Sequence, residues 1–142
     1  MQFRAIKLTV FVKEGEEENV IAERLRALIP FEIKILRETA TSAEDKPIII
    51  LSVPLEKAKQ SFAFAEWLTQ TLTPEQKQLL NAQAVTRLDQ GLNFFIRFDK
   101  PSWLDGKLVI TDSGNCFHCK MSLAAYPAKW EKGLAMVREI LR

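Results

Sequence analysis

Polar and apolar residues alternate along Phe3 to Val12, with Ile6, Leu8, Val10 and Val12 on one side. That is the pattern of a strand with one face buried. Glu16, Glu17 and Glu18 suit a helix N-terminus, where the macrodipole favours negative charge. Ile21, Leu25, Leu28 and Ile29 follow at helical spacing until Pro30 ends the helix. A second strand is predicted at once, with Phe31, Ile33 and Ile35 on one side and Glu32 and Lys34 on the other, before a polar loop from Thr39 to Lys46. Pro47 opens "IIILSV", an apolar run expected of a covered strand or one at the sheet centre. Pro54 is suited to the first turn of a helix, in which Ala58, Phe62 and Ala65, with Phe64 and Leu68, form two neighbouring apolar stripes. Thr73 to Gln76, "TPEQ", is a capping box that starts another helix.

Alternation resumes at Asn93. Phe94, Ile96 and Phe98 face one way, and Phe95, Arg97 and Asp99 the other. A turn around Asp105 and Gly106 leads to a short strand at Lys107 to Thr111, and "DSGN" makes a further turn. Cys116 to Ala124 alternates once more, and Pro127 opens a closing helix with Trp130, Leu134, Val137 and Leu141 at intervals of three or four. The chain shows no repeat, low-complexity tract or linker. The pattern predicts an α+β fold, a single domain over residues 1–142, with a mainly antiparallel or mixed sheet of about five to six strands and helices packed on one face.

Composition narrows the class. The 142 residues suffice for a hydrophobic core. No window approaches the roughly 18 unbroken apolar residues of a membrane helix, and the N-terminus lacks the apolar core of a signal peptide. A soluble, cytoplasmic protein is expected. Net charge is +2. Residues 1–86 carry 11 Lys/Arg against 12 Asp/Glu, and residues 87–142 carry 9 against 6, so an anion-binding surface is expected to draw on the second half.

Both cysteines and the only histidine fall within "GNCFHCKM", Gly114 to Met121. On a strand, Cys116, His118, Lys120 and Ser122 share one face, and Phe117, Cys119, Met121 and Leu123 the other. The apolar set belongs to the core, which buries Cys119 and leaves Cys116 outside beside His118. The cysteine Cα atoms then lie about 10 Å apart, beyond the roughly 7 Å of a disulfide. A structural zinc takes about four Cys or His ligands, and only three such residues exist. The stretch reads as a strand with incidental sulfur. No metal and no cofactor is expected.

The opposite sheet face is then expected to carry Lys7 and Thr9, Lys34, Arg97, and His118, Lys120 and Ser122, with Phe3, Phe11 and Phe95 as aromatic neighbours. Cations interleaved with aromatics can hold phosphates while bases stack on rings. An ordinary solvated sheet face gives the same alternation. Asp99, Lys100, Asp105 and His118 could supply acid–base groups, but there is no P-loop, nucleophile elbow or dinucleotide turn. Turn chemistry is the commoner role for Asp99 and Asp105, so the protein is expected not to be an enzyme.

Three blocks, "KPIIILSV", "FFIRFDKPSWLDGKLVI" and "AAYPAKWEKGLAMVREIL", together with "LTVFVKEGEEENVIAERLRALIP", resemble the archaeal family described as predicted exosome subunits, or RNA-binding proteins of the exosome. The resemblance spans nearly the whole chain, in order. It implies a fold like that of the ribosomal protein that binds five-S rRNA, RNA binding without catalysis, and a role near RNA processing or ribosome-related RNA, with exosome or ribosomal proteins as partners. By position, the Arg-Phe-Asp-Lys block is Arg97 to Lys100 and the Ala-Tyr-Pro-Ala-Lys block is Ala125 to Lys129. Pro101 departs from the family's Gln, and Cys116 to Cys119 depart from its aliphatic and basic residues.

The expected RNA-binding set is therefore Lys7, Lys34, Arg97 and Lys120 on phosphates, Lys100 and Lys129 at the rim, His118 beside them, and Phe95 as the stacking ring unless a partner or a second copy of the chain covers it. Six phosphate contacts would make log affinity fall with log salt at a slope of about −4 to −5. The alternative is a protein-interaction module whose sheet face or edge pairs with another protein of an RNA-handling complex.

Overall fold

The computed structural model describes residues 2–142. In chain order its elements are β1 (Phe3–Lys13), α1 (Glu18–Arg26), β2 (Leu36–Thr41), β3 (Pro47–Leu55), α2 (Ala58–Thr71), α3 (Pro74–Ala82), α4 (Ala84–Arg87), β4 (Asn93–Asp99), α5 (Lys100–Leu104), β5 (Cys116–Leu123) and α6 (Trp130–Ile140). The strands form one α+β antiparallel sheet in the order β2-β3-β1-β5-β4. Ile6, Leu8, Val10 and Val12 of β1, Leu51, Val53 and Leu55 of β3, Phe94, Ile96 and Phe98 of β4, and Phe117, Cys119 and Met121 of β5 are all buried. The alternation seen in the sequence is thus the alternation of the sheet.

Contacts group the chain into two compact units. One contains the chain up to Ile6, Leu55–Ile96 and Lys120–Arg142, and the other contains Lys7–Pro54 and Arg97–Cys119. In the first, Phe64, Ala65 and Leu68 of α2, Leu80 of α3 and Val137 of α6 supply the helical part of the core. The expected capping box starts α3: Thr73 Oγ1 accepts from Gln76 N–H (3.1 Å) and Thr73 N–H donates to Gln76 Oε1 (3.0 Å). Trp130 Nε1 donates to the Leu88 carbonyl (3.0 Å), which ties α6 to the end of α4. Gly133 lets α6 approach closely, since a Cβ there would lie 2.8 Å from Leu92 Cδ2.

In the second unit α1 and α5 lock together through Arg24 and Trp103. Arg24 Nε donates to the Trp103 carbonyl (2.8 Å), Trp103 Nε1 donates to the Arg24 carbonyl (2.7 Å), and the guanidinium carbon stands 4.2 Å from the ring centroid. A cation over an indole face is attracted by the ring quadrupole. Asp99 caps α5 by accepting from Ser102 N–H (3.1 Å) and from the Ser102 hydroxyl.

Several expectations are corrected. The second strand is not Phe31–Ile35, which is irregular, but Leu36–Thr41, partly inside the predicted loop. It runs antiparallel to β3 from Leu36↔Ser52 to Thr41↔Pro47. β2 is an edge strand, mostly exposed. Its Arg37 and Glu38 mask the strand signal in the sequence. Pro54 belongs to β3 rather than to a helix start. The β2 ladder ends at Ser52, so no hydrogen bond on that side needs the missing N–H.

The strand expected at Lys107–Thr111 reduces to an isolated bridge between Phe98 and Ile110, while the turn expected around Asp105 and Gly106 is present, directly after helix α5. Phe62 is 63 % exposed, so α2 buries one stripe and not two. Phe3 is buried rather than outward, lining an apolar cavity with Leu68, Phe94 and Val137.

Candidate nucleic-acid interface

Within the second unit, the side of the sheet turned away from the core carries an open concavity of about 360 Å³, lined by Thr9, Val10, Phe11, Arg97, Gly114, Cys116 and His118. Three strands build it. Alternation on β1 buries Val10 and turns Thr9 and Phe11 outward, β4 supplies Arg97 from its outward set, and β5 supplies Cys116 and His118. The turn before β5 leaves Gly114 at the wall, where a Cβ would meet nothing within 4 Å.

Phe11 is 45 % exposed, an unusual cost for a phenyl ring in water. Its carbonyl is held by Lys100 Nζ (2.7 Å), whose second acceptor is Glu16 Oε1 (2.8 Å). Burial raises the Glu16 pKa, but the hydrogen bond from Lys100, the bond from Lys13 N–H and the charges of Lys100 and Lys13 outweigh it, so this carboxyl titrates below its ordinary value. Arg97 Nη1 donates to the Asp112 carbonyl (2.9 Å), which orients the guanidinium at the rim. Burial pushes the Cys116 thiol up against the opposing pull of Arg97 and Lys100. It is therefore a neutral lining group rather than a nucleophile.

The expected site residues fare differently. Arg97 and His118 do meet at one concavity, and Lys7 is exposed on the same strand as Thr9 and Phe11. Lys100, expected at the rim, is only 2 % exposed and faces inward. Lys34 is exposed but lies on the irregular segment before β2, so it is not part of the sheet face. Cys116, expected outside, is buried at 9 % exposure beneath the concavity. Cys119 is fully buried, and burial pushes its thiol up as well.

Phe95, Lys120 and Lys129 belong to the other unit. Phe95 and Lys120 are half-buried, and the Phe95 carbonyl accepts from Arg87 Nη1 (3.3 Å). Burial raises the Asp89 pKa, but hydrogen bonds from Asn93 and Gly91 and the charge of Lys120 bring it below its ordinary value. Lys129 is exposed at the start of α6, three residues after Tyr126, whose ring is 94 % exposed. Two exposed rings, Phe11 and Tyr126, were not in the expected binding set. For Phe11 the signal was present, because the alternation that buries Val10 and Val12 turns it outward.

Among the described residues no group of three or more His, Cys, Asp or Glu could hold a metal ion, and no helix is long and apolar enough to cross a membrane.

A family model described as RNA binding matches residues 5–123. The chain is 26 % identical to RNA-binding protein PAB1135 of Pyrococcus abyssi over 99 % of its own length and 95 % of that protein's. Two solved structures are similar throughout. Mth689, a DUF54 protein from Methanothermobacter thermautotrophicus, is 29 % identical with a TM-score of 0.82 and full coverage of both chains, 100 % each. AF2318 from Archaeglobus fulgidus, also of DUF54, is 27 % identical with a TM-score of 0.91, covering 97 % of this chain and 99 % of that one.

Proposed function

The chain belongs to the RNA-binding family that includes the DUF54 proteins, and from that premise we propose that it binds RNA, without catalysing a reaction on it, through the outward face of its sheet. The observation that carries this reading is the concavity at which Arg97 and His118 meet the exposed ring of Phe11. A guanidinium oriented by a main-chain carbonyl is well suited to phosphate, because its remaining donors form a planar fork. Lys7 adds a solvated cation on β1, and Lys120 and Lys129, which belong to the other unit, are further candidate phosphate contacts, whereas Lys34 lies off the sheet face. Lys100 drops out, since its ammonium is committed to Phe11 and Glu16. The setting is RNA processing or ribosome-related RNA in the cytoplasm, with exosome or ribosomal proteins as partners.

Binding is tested by fluorescence anisotropy against single-stranded and structured RNAs over a salt series. A steep fall of affinity with salt, shallower by about one unit of slope in Arg97→Ala, supports the reading. Flat curves at low salt with every RNA would falsify it.

A second reading has its own observation. β2 is an edge strand on which Leu36 is 43 % exposed, a surface suited to strand addition by another protein. It predicts a protein free of nucleic acid that migrates with a partner or as an oligomer.

A further inference from the structure

Resting on the reading of the chain as an RNA binder, we infer that the concavity between β1, β4 and β5 is a pocket for an unpaired nucleobase. The chain would then select single-stranded RNA, or the loops and bulges of structured RNA, over duplex.

Three features of the concavity point the same way. First, the outward ring is the right kind of group. Every base has a π-face, and an aromatic side chain with a large part of its surface in water recovers that exposure by stacking. Phe11, at 45 % exposure, is such a ring, and its main chain is pinned from beneath by buried Lys100. The pin lowers the entropy lost on binding because the residue that stacks is already positioned.

Second, the lining divides as a base requires. Phe11 and Cys116 are apolar, with Val10 turning its side chain to the core, whereas Thr9, His118 and Arg97 carry polar groups. Burial keeps the Cys116 thiol neutral, so the thiol itself adds no negative charge to the recess. Arg97 on β4 and Lys7 and Lys13 on β1, of the same outward parity as Phe11, put positive charge on this face. Cations on this face favour a polyanion.

Third, the size is selective. A volume of about 360 Å³ falls near the small end of ligand clefts, roughly 300–1,000 Å³. A base splayed from its strand fits a recess of this size. A base inside a duplex is stacked between its neighbours, and A-form RNA presents backbone and a shallow minor groove to a protein surface. Gly114 stands at the wall, and a Cβ built there meets no atom within 4 Å, so a larger side chain can be placed at this point without a clash.

The test compares a single-stranded adenosine oligonucleotide with the duplex it forms with its complement, using the full-length chain and fluorescence anisotropy. Stacking on one ring is worth roughly 1–3 kcal/mol, so Phe11→Ala should weaken single-strand binding about 5- to 150-fold. Gly114→Leu should weaken it comparably by filling the recess, and should do so without altering charge, hence without altering the salt slope. Wild-type binding should favour the single strand, and both variants should lose that preference. Thermal melting confirms that they fold: the Phe11 carbonyl survives truncation, and the side chain added at Gly114 enters open space.

If RNA binds with a steep salt slope but Gly114→Leu and Phe11→Ala bind like wild type, the base pocket is wrong and the RNA-binding reading stands. If no RNA binds at all, both fall. If Phe11→Ala instead dissociates an oligomer and leaves RNA affinity unchanged, the ring serves contact between copies of the chain, and the base pocket is overturned.

Discussion

Lys100 shows how a single residue changes meaning between surface and interior. A lysine ammonium is strongly hydrated, and burying it is costly unless acceptors replace the water. Here the Phe11 carbonyl and Glu16 Oε1 replace it at 2.7 and 2.8 Å. Lys100→Met should therefore cost about 1–3 kcal/mol of stability in chemical denaturation. The loss is moderated because Glu16 is 31 % exposed at its side chain and can rehydrate. The salt slope of RNA binding should not change, which separates a structural lysine from a phosphate contact.

Glu16 adds a pH dependence to the same pair. Its carboxyl titrates below its ordinary value of 4.5 in the folded chain, so the unfolded state binds the proton first as the pH falls. The stabilisation is complete above that ordinary value and is lost as the pH falls through the lowered one. Wild type and Glu16→Gln should differ most at neutral pH and converge in acid, as read from denaturation midpoints over a pH series.

At the scale of elements, the closest packing constraint is Gly133 on α6. Glycine costs a helix roughly 1 kcal/mol relative to alanine, and here it is retained where a Cβ would lie 2.8 Å from Leu92 Cδ2, with Leu123 and Leu88 at contact distance around it. Leu92 cannot easily yield, being buried and held at φ +65° just before β4, in the left-handed region that branched residues avoid. Gly133→Val should lower stability by about 1–3 kcal/mol through overpacking, despite its better helix propensity, as measured by urea denaturation. The same element level explains β2. An edge strand that buries neither face carries no period-2 apolar code, so only its pairing with β3 defines it.

For the whole molecule, the proposed phosphate contacts are Lys7 and Arg97 in one unit and Lys120 and Lys129 in the other. With Lys100 and Lys34 removed, four proposed contacts remain, and the salt slope expected is about −2.8 to −3.6 rather than that of six. Arg97→Ala and Lys120→Ala should each make it shallower by about 0.7–0.9. A slope of wild-type steepness in Lys120→Ala would confine the RNA to the unit that carries Arg97.

Taken alone, the sequence determined those features whose causes are local. Alternation set β1, β4 and β5 and their buried faces, the Thr73–Gln76 box set the start of α3, and the three- and four-residue spacing set α6. The face bearing Arg97 and His118 followed from the same parity. Tertiary structure decided what depends on distant partners. Lys100 is buried because Phe11 and Glu16, 89 and 84 residues away along the chain, meet its ammonium. Cys116 is covered although its parity is outward, and Phe11 rather than Phe95 became the ring at the concavity. A period of two tells which side of a strand a residue occupies. Only the neighbouring strands and turns determine how much water remains there.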